Sequence, residues 1–328
     1  MLIDKSSSIK AQKLLVVVSV LLFVIKLLAW YITSSVAILT DALESTVNVI
    51  ASFIGLYSII VSAKPKDKEH PYGHGKVEFI SSAFEGILIS VAGIIIIVEG
   101  VINFIHPHDI KKLDYGLILI AFAGLVNYMV GYFCVKKGEK ENSPILIAGG
   151  KHLKSDTYST IGLLLGLGLI ILTGYLWIDS VAAIIFAFII IYTGYKIMRK
   201  AISGMMDEAD HGIIEEIKSV LNTNRQINWI DVHNMRIINY AGFYHIDCHI
   251  TVPFYYNINQ GHDELEKLTS ILTKHFDNRV EFFIHVDACQ LYQCNICQVS
   301  GCEFRKEIFI KTIDWTAENL ILNHKHKL

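Results

Sequence analysis

Long apolar runs dominate the first two-thirds of the chain. Windows of about 20 apolar residues, the length that covers the hydrocarbon core of a bilayer, fall at 14–35, 36–62, 79–103, 115–135, 145–174 and 178–198. Six spans are therefore expected. The first two are parted only by Ile32-Thr33-Ser34-Ser35, which predicts a tight helical hairpin. After Gly204 the pattern changes. Ile213, Ile214, Ile217, Val220 and Leu221 recur at helical spacing, and residues 229–238 and 243–254 read as strands broken by a turn at Asn239-Tyr240-Ala241-Gly242. A helix over about 262–276 and a third strand over 280–286 complete an α-β-β-α-β order. That order suggests a small ferredoxin-like α+β domain with its helices on one sheet face. Further on, Ile308, Ile310, Ile313, Leu320 and Ile321 give a weak helical pattern. The expected fold is membrane α-helical: six transmembrane helices over residues 1–204, a cytoplasmic ferredoxin-like α+β domain over 205–290, and a Cys-containing tail over 291–328.

Composition agrees with a chain that lives in a lipid bilayer. Of 328 residues, 52% are hydrophobic and 18% charged, with a mean hydropathy of +0.44, too apolar for an ordinary soluble protein. The net charge of -2 leaves no basic excess, which removes nucleic acid from the expected partners. The start is polar, with Lys5, Lys10 and Lys13. The apolar run after it is too long for a signal-peptide core and lacks a small-residue cleavage site, so it counts as a span. Basic residues set the expected orientation. Lys64, Lys66, Lys68 and Lys76 lie between spans two and three, Lys136, Lys137, Lys140 and Lys151 between four and five, and Lys196, Arg199 and Lys200 after span six. The opposite connections are poorer, with Lys111 and Lys112 in one of them. The positive-inside rule puts both termini in the cytoplasm, at the inner membrane in a bacterial host.

Polar side chains inside the apolar runs are the first chemical signal. A charge at the bilayer centre costs roughly 2.5 kcal/mol or more on insertion scales, so such residues persist mainly where they face a polar path or bind something. Span two carries Asp41-Ala-Leu-Glu44-Ser-Thr-Val-Asn48, and span five opens with His152-Leu-Lys-Ser-Asp156. The i, i+4 spacing sets Glu44 with Asn48, and His152 with Asp156, on single helix faces. If those faces meet, two carboxylates, an imidazole and an amide oxygen can surround one divalent cation. The plainer alternative is a wet helix end at Asp41 and Glu44 and an ordinary cap at His152 and Asp156. Lys26, Glu85 and Glu99 are further intramembrane charges, suited to helix–helix pairs or to a proton path.

Three clusters lie outside the spans. Asp67-Lys-Glu-His70-Pro-Tyr-Gly-His74-Gly offers one carboxylate and two imidazoles in eight residues, with glycines that allow tight turns. In the C-terminal domain His233, His249, His262, His285 and Asp287 fall at strand ends or a helix start, and His285-Val-Asp287 directs two side chains to one side of a strand. Each alone reads as structural; as a set they read as metal ligands. Cys289-x4-Cys294-x2-Cys297-x4-Cys302 gathers four of the six cysteines, and four thiolates can close around zinc, less readily around an iron–sulfur cluster, in preference to disulfides or free thiols. Cys134 reads as core packing. His245 and Cys248 carry no assignment.

These residues resemble those of the cation diffusion facilitator family of divalent-metal transporters, over nearly the whole chain. The resemblance rests on Asp41-Ala-Leu-Glu44-Ser, His70-Pro-Tyr-Gly-His74-Gly-Lys76, His152-x3-Asp156 and His285-Val-Asp287. It implies a homodimer whose protomers each export a divalent ion, usually Zn2+, in exchange for protons, and no enzymatic activity. By position it implies a transport site of Glu44, Asn48, His152 and Asp156. It likewise implies a loop site of Asp67, His70 and His74, and a binuclear site of His233, His249, His262, His285 and Asp287. Span two departs from the family pattern, because Glu44 and Asn48 stand where many members carry a His or Asp before a second Asp. A neutral amide lowers the charge of the site and can shift preference from Zn2+ toward Fe2+, Mn2+, Co2+ or Ni2+. The cysteine cluster lies beyond the shared core. A membrane metalloenzyme is disfavoured because the chain has neither H-E-x-x-H nor G-x-S-x-G. The rival to transport is a membrane-bound metal sensor.

Overall fold

The computed structural model describes residues 6–33, 36–105, 114–173, 177–277 and 279–328, which form two compact units, Met1–Met206 and Asp207–Leu328. The Ser34-Ser35 turn and the Lys111-Lys112 connection lie outside the described residues.

Long helices fill the first unit: α1 (Ser6–Thr33), α2 (Val36–Ser62), α3 (Val77–Ile105), α4 (Asp114–Glu141), α5 (Pro144–Thr173) and α6 (Trp177–Met205). Each apolar run of the sequence corresponds to one of them. Within the described residues, Ser6–Tyr31, Ser45–Ser62, Val77–Ile102 and Ile118–Glu141 meet the length and apolarity of a bilayer span. The helices outrun the apolar windows at their wet ends: α4 continues through Lys136, Lys137 and Lys140, and α6 through Lys196, Arg199 and Lys200.

In lipid, apolar side chains gain little by leaving acyl chains for one another, so close backbone approach and polar contacts carry helix association. Val17, Leu21, Ile94, Phe122 and Met129 accordingly stay on outward faces. Gly86 and Gly194 bring α3 and α6 together, since a Cβ on either would meet the other's carbonyl oxygen at 2.8 Å. Gly131 and Gly150 do the same for α4 and α5, again at 2.8 Å. The start of α5, with Pro144 at the favoured first helical position, is tied to the rest by buried Glu78 on α3. Its carboxylate accepts hydrogen bonds from Ser62 at 2.6 Å and from Ser143.

The second unit runs α7 (His211–Thr223), β1 (Asp231–Asn239), β2 (Tyr244–Val252), α8 (Ile258–His275), β3 (Val280–Ala288), with a last helical turn α9 (Ala317–Leu320). The sheet order is β1-β2-β3, antiparallel then parallel, with α8 as the crossover. This is the expected α-β-β-α-β domain. Asp210 caps α7 and Asn257 with Gln260 forms a capping box on α8, so both helices start where polar side chains satisfy free amides. Their apolar stripes, including Ile217, Leu221, Leu268 and Leu272, pack on Ile246 and Ile250 of the central strand.

Two local features shape the rest. The β1–β2 turn places Ala241 and Gly242 at positive φ, and the Asn239 side chain accepts from the Gly242 amide at 3.1 Å. Between His233 and Arg236, β1 bulges; Asn234 takes φ +53° and turns its N–H to Leu322 O at 2.8 Å. Residues 291–328 are thereby laid on the domain. Trp315 and Leu320 are fully buried in its core, and the Arg225 guanidinium stacks 4.1 Å from the Trp315 ring centroid. The helical pattern expected from Ile308 to Ile321 does not form as such: only α9 is helical, and Ile308 and Ile310 are exposed. The β-branched run Ile308-Phe-Ile310-Lys-Thr312-Ile313 disfavours helix, and the Ile313 and Trp315 carbonyls accept from Arg225 and Asn222 instead of from their own chain.

Candidate metal centres

Helices α2 and α5 bring polar side chains face to face inside the first unit. Asn48 is buried on α2, and His152 and Asp156 are buried one turn apart on α5. Asn48 Oδ1 pairs with His152 Nε2, and Asn48 Nδ2 donates to Asp156 Oδ2 at 2.5 Å. His152 Nε2 lies 3.6 Å from Asp156 Oδ1. The other ring nitrogen, Nδ1, makes no hydrogen bond and faces Glu85 Oε1 of α3 at 3.8 Å. An amide oxygen, an imidazole nitrogen and a carboxylate thus converge, a donor set suited to a divalent cation. The side chains of Glu44 and Asp41 lie outside the described residues; the Glu44 backbone sits one turn before Asn48 on the same helix. Glu85, one of the intramembrane charges read from the sequence as a helix–helix pair or a proton path, is thus a neighbour of His152. Its signal is a carboxylate about one-third of the way along a long apolar helix that also carries Glu78 and Glu99.

The loop between α2 and α3 folds on itself around Asp67. Asp67 Oδ1 accepts from the amides of Glu69 at 3.0 Å and His70 at 2.7 Å, while Gly73 supplies a turn at φ +96°. His70 Nδ1 and His74 Nε2 lie 3.4 and 3.3 Å from the two Asp67 oxygens, and the ligand atoms of the three residues fall within 4.8 Å of one another. The His70 amide, with the imidazoles of His74 and His70, outweighs partial desolvation and holds the Asp67 carboxyl below its ordinary range.

The sheet registers His233 of β1 opposite His249 of β2, and His249 beside His285 of β3. Asp287 joins them: its Oδ2 is 3.1 Å from His249 Nδ1 and 3.4 Å from His233 Nε2. His233, His249 and Asp287 place three ligand atoms within 4.8 Å of one another. His285 stacks on His249 with ring centroids 4.8 Å apart and stands 3.3 Å from Asp287 Oδ1, with its side chain exposed. His262 is not drawn in; on the solvent face of α8 it pairs with Glu266 at 3.4 Å.

The chain end supplies partners that the sequence does not mark. Lys325 Nζ reaches Asp287 Oδ1 at 3.7 Å, and His326 forms a latch on buried Asp231, through Nδ1 to Oδ1 at 2.5 Å and through its amide to Oδ2 at 2.8 Å. Asp231 Oδ2 is also 3.4 Å from His233 Nδ1. Burial alone would raise the Asp231 carboxyl; the nearby His233 imidazole and the two hydrogen bonds from His326 more than offset it and hold it below the carboxylate range. The same bond to Asp231 raises the His326 imidazole. The readable signal was Asp231-Val-His233, an i, i+2 pair like His285-Val-Asp287.

Cys289, Cys294, Cys297 and Cys302 are free thiols that line one cavity of about 310 Å3. Cys134 and Cys248 are buried in the apolar cores of their respective units.

Polar side chains gathered among long apolar helices, joined to an α+β domain whose sheet carries histidines and a carboxylate, are the makings of a membrane protein that handles cations. Residues 13–206 match the family model of the cation efflux transmembrane domain, and residues 209–289 match that of the cation efflux protein, cytoplasmic domain. The chain belongs to the cation efflux, or cation diffusion facilitator, family, whose members are transporters and not enzymes. It is 30% identical over 251 residues to an uncharacterized transporter of Synechocystis, covering 76% of this chain and 81% of the relative. It is 27% identical over 289 residues to the manganese efflux system protein MneP of Bacillus subtilis, covering 85% and 95%. A cadmium, cobalt and zinc/H(+)-K(+) antiporter of Bacillus velezensis is 24% identical over 248 residues, covering 75% and 78%.

Proposed function

We propose that the chain exports a divalent metal ion in exchange for protons, with Zn2+ as the leading substrate. One observation carries this reading: Asn48 of α2 is joined to both His152 and Asp156 of α5 within the membrane domain. With Glu44 as fourth ligand, the site offers three oxygens and one nitrogen. Carboxylate and imidazole must be unprotonated to hold a cation, so protons and metal compete for the same atoms. That competition couples their opposite movement when the site opens to each side in turn.

Asp67, His70 and His74 form the loop site in this reading. His233, His249, His285 and Asp287 form a regulatory site in a cytoplasmic domain through which two copies pair, His262 being a weaker member because it stands apart on α8. Both termini then lie in the cytoplasm, as the basic residues of the 63–76 connection and the end of α6 favour. A second reading, Mn2+ or Fe2+ as the substrate, is favoured by Asn48 itself. Its neutral amide oxygen stands in place of a carboxylate and lowers the charge of the site, and one relative is a manganese efflux protein.

The test is proton release from vesicles reconstituted with the full chain and challenged in turn with Zn2+, Mn2+, Fe2+, Co2+ and Ni2+. Zn2+ is expected to give the fastest exchange. Faster exchange with Mn2+ or Fe2+ moves the assignment to the second reading, and no exchange with any of the five overturns export by antiport.

A further inference from the structure

The cysteines at residues 289–302 belong neither to the membrane cluster nor to the ligands on the sheet. Cys289 directly follows β3, where its amide continues the ladder by donating to Val252 O at 2.9 Å. Beyond it the chain makes a short helical turn, Leu291–Gln293, and the Cys294 and Cys297 amides close successive turns onto Leu291 O and Cys294 O. Gly301, at φ +74°, then reverses the chain so that Cys302 faces the same cavity. Arg305, itself part of the cavity wall, holds this reversal, donating to the carbonyls of Cys294 at 2.7 Å, Cys297 at 2.9 Å and Val299 at 2.8 Å. These turns set all four thiols along the wall of one cavity.

We propose that Cys289, Cys294, Cys297 and Cys302 form a four-thiolate metal centre, occupied by a zinc ion or by an iron–sulfur cluster. Three independent features support it. The four thiols line a single cavity of about 310 Å3, and Cys289 and Cys297 are held there by packing against Ile230 and Ile296. The Arg305 guanidinium, bonded to the carbonyls of Cys294, Cys297 and Val299, sets a positive charge in the wall of the cavity where the thiolates would gather. A set of four thiolates without a carboxylate selects zinc or iron–sulfur chemistry over the hard cations, and the first three cysteines have the C-x4-C-x2-C spacing found among iron–sulfur proteins.

The centre would be structural. It clamps the segment after β3 against the end of β2, two residues along the strand from Asp287 and on the same side of it. It is independent of the transport reading, because none of its ligands lies in the membrane unit.

The full chain, purified in detergent without oxygen, is assayed for zinc, iron and acid-labile sulfide, beside Cys294→Ser/Cys297→Ser and His249→Ala/Asp287→Ala variants. The cysteine variant is expected to lose one equivalent of zinc, or all iron and sulfide, and the His249/Asp287 variant to keep it. A colourless zinc protein that gives thiolate-to-metal charge-transfer absorption on Co2+ exchange identifies the single ion; visible absorption with matching iron and sulfide identifies the cluster. Should the cysteine variant not fold, thiol alkylation of the wild type decides: the bound metal should protect these four thiols until a chelator strips it. The proposal is overturned if the cysteine variant keeps all its metal, or if the four thiols of the untreated protein react as readily as after chelation.

Discussion

Replacing His326 by Ala should unlatch the chain end from the sheet. The side chain makes two bonds, one charge-assisted to Asp231 Oδ1 and one from Nε2 to Asn319 O at 3.0 Å. The first contributes about 1.5–3 kcal/mol and the second about 1 kcal/mol. Asp231, at 1% exposure, cannot recover the loss from water, although the residue-326 amide and His233 still face it. The expected destabilisation of the second unit is about 2–4 kcal/mol, or a fall in Tm of roughly 8–16 °C at about 4 °C per kcal/mol for a domain of this size. The pair also sets a pH window. The raised His326 contributes stability that is complete below its unfolded pKa of about 6.5 and is lost as pH rises through the folded value. The depressed Asp231 contributes stability present above about pH 4 and lost as pH falls through its folded value. The latch is therefore strongest between about pH 4 and 6.5. Hydrogen exchange of β1 and α9 amides in the chelator-treated full chain, read against temperature and pH, measures both effects. A change within the ~0.5 kcal/mol typical of surface substitutions, or stability that keeps rising above pH 7, would refute the reasoning.

Three further outcomes follow from other sites. Gly194→Ala should force α3 from α6, because the added carbon meets Gly86 O at 2.8 Å and the Ser90 amide at 3.0 Å; a loss of about 1–3 kcal/mol should appear as lower thermal stability in detergent, and an unchanged melting curve would contradict the packing. Asn48→Asp adds a carboxylate beside Asp156 and His152 and should move transport preference toward Zn2+ relative to Mn2+, read as the ratio of metal-driven proton fluxes; an unaltered ratio would remove Asn48 from selectivity. Asp287→Ala should abolish metal binding at the strand cluster, since Asp287 contacts both His233 and His249, while leaving the loop site intact; the readout is Zn2+ stoichiometry by calorimetry.

Helix positions were legible because a bilayer imposes a length on every apolar run, and the β-rich runs read at 229–238, 243–254 and 280–286 correspond to β1, β2 and β3. The pairing of α2 with α5 was legible only through chemistry: Asn48 and His152 lie 104 residues apart, and the inference that they meet came from the cost of leaving either in lipid. The tail was less readable. Ile308 to Ile313 resembled a helix by spacing, but its backbone partners, Arg225 and Asn222, lie far upstream, and no local pattern announces a bond to Ile313 O or Trp315 O. His326 was hidden for the same reason, since its partner Asp231 sits 95 residues away. His262, exposed on α8 and paired with Glu266, is not among the three residues whose ligand atoms the sheet gathers, and the sequence alone could not separate it from them.

Passage of metal through the cluster of Asn48, His152 and Asp156 is tested most directly by metal-driven proton flux in vesicles carrying His152→Ala, with correct folding checked by its elution profile in detergent. Flux indistinguishable from protein-free vesicles is the expected result. Flux equal to that of the unaltered chain would show that the ion takes another route.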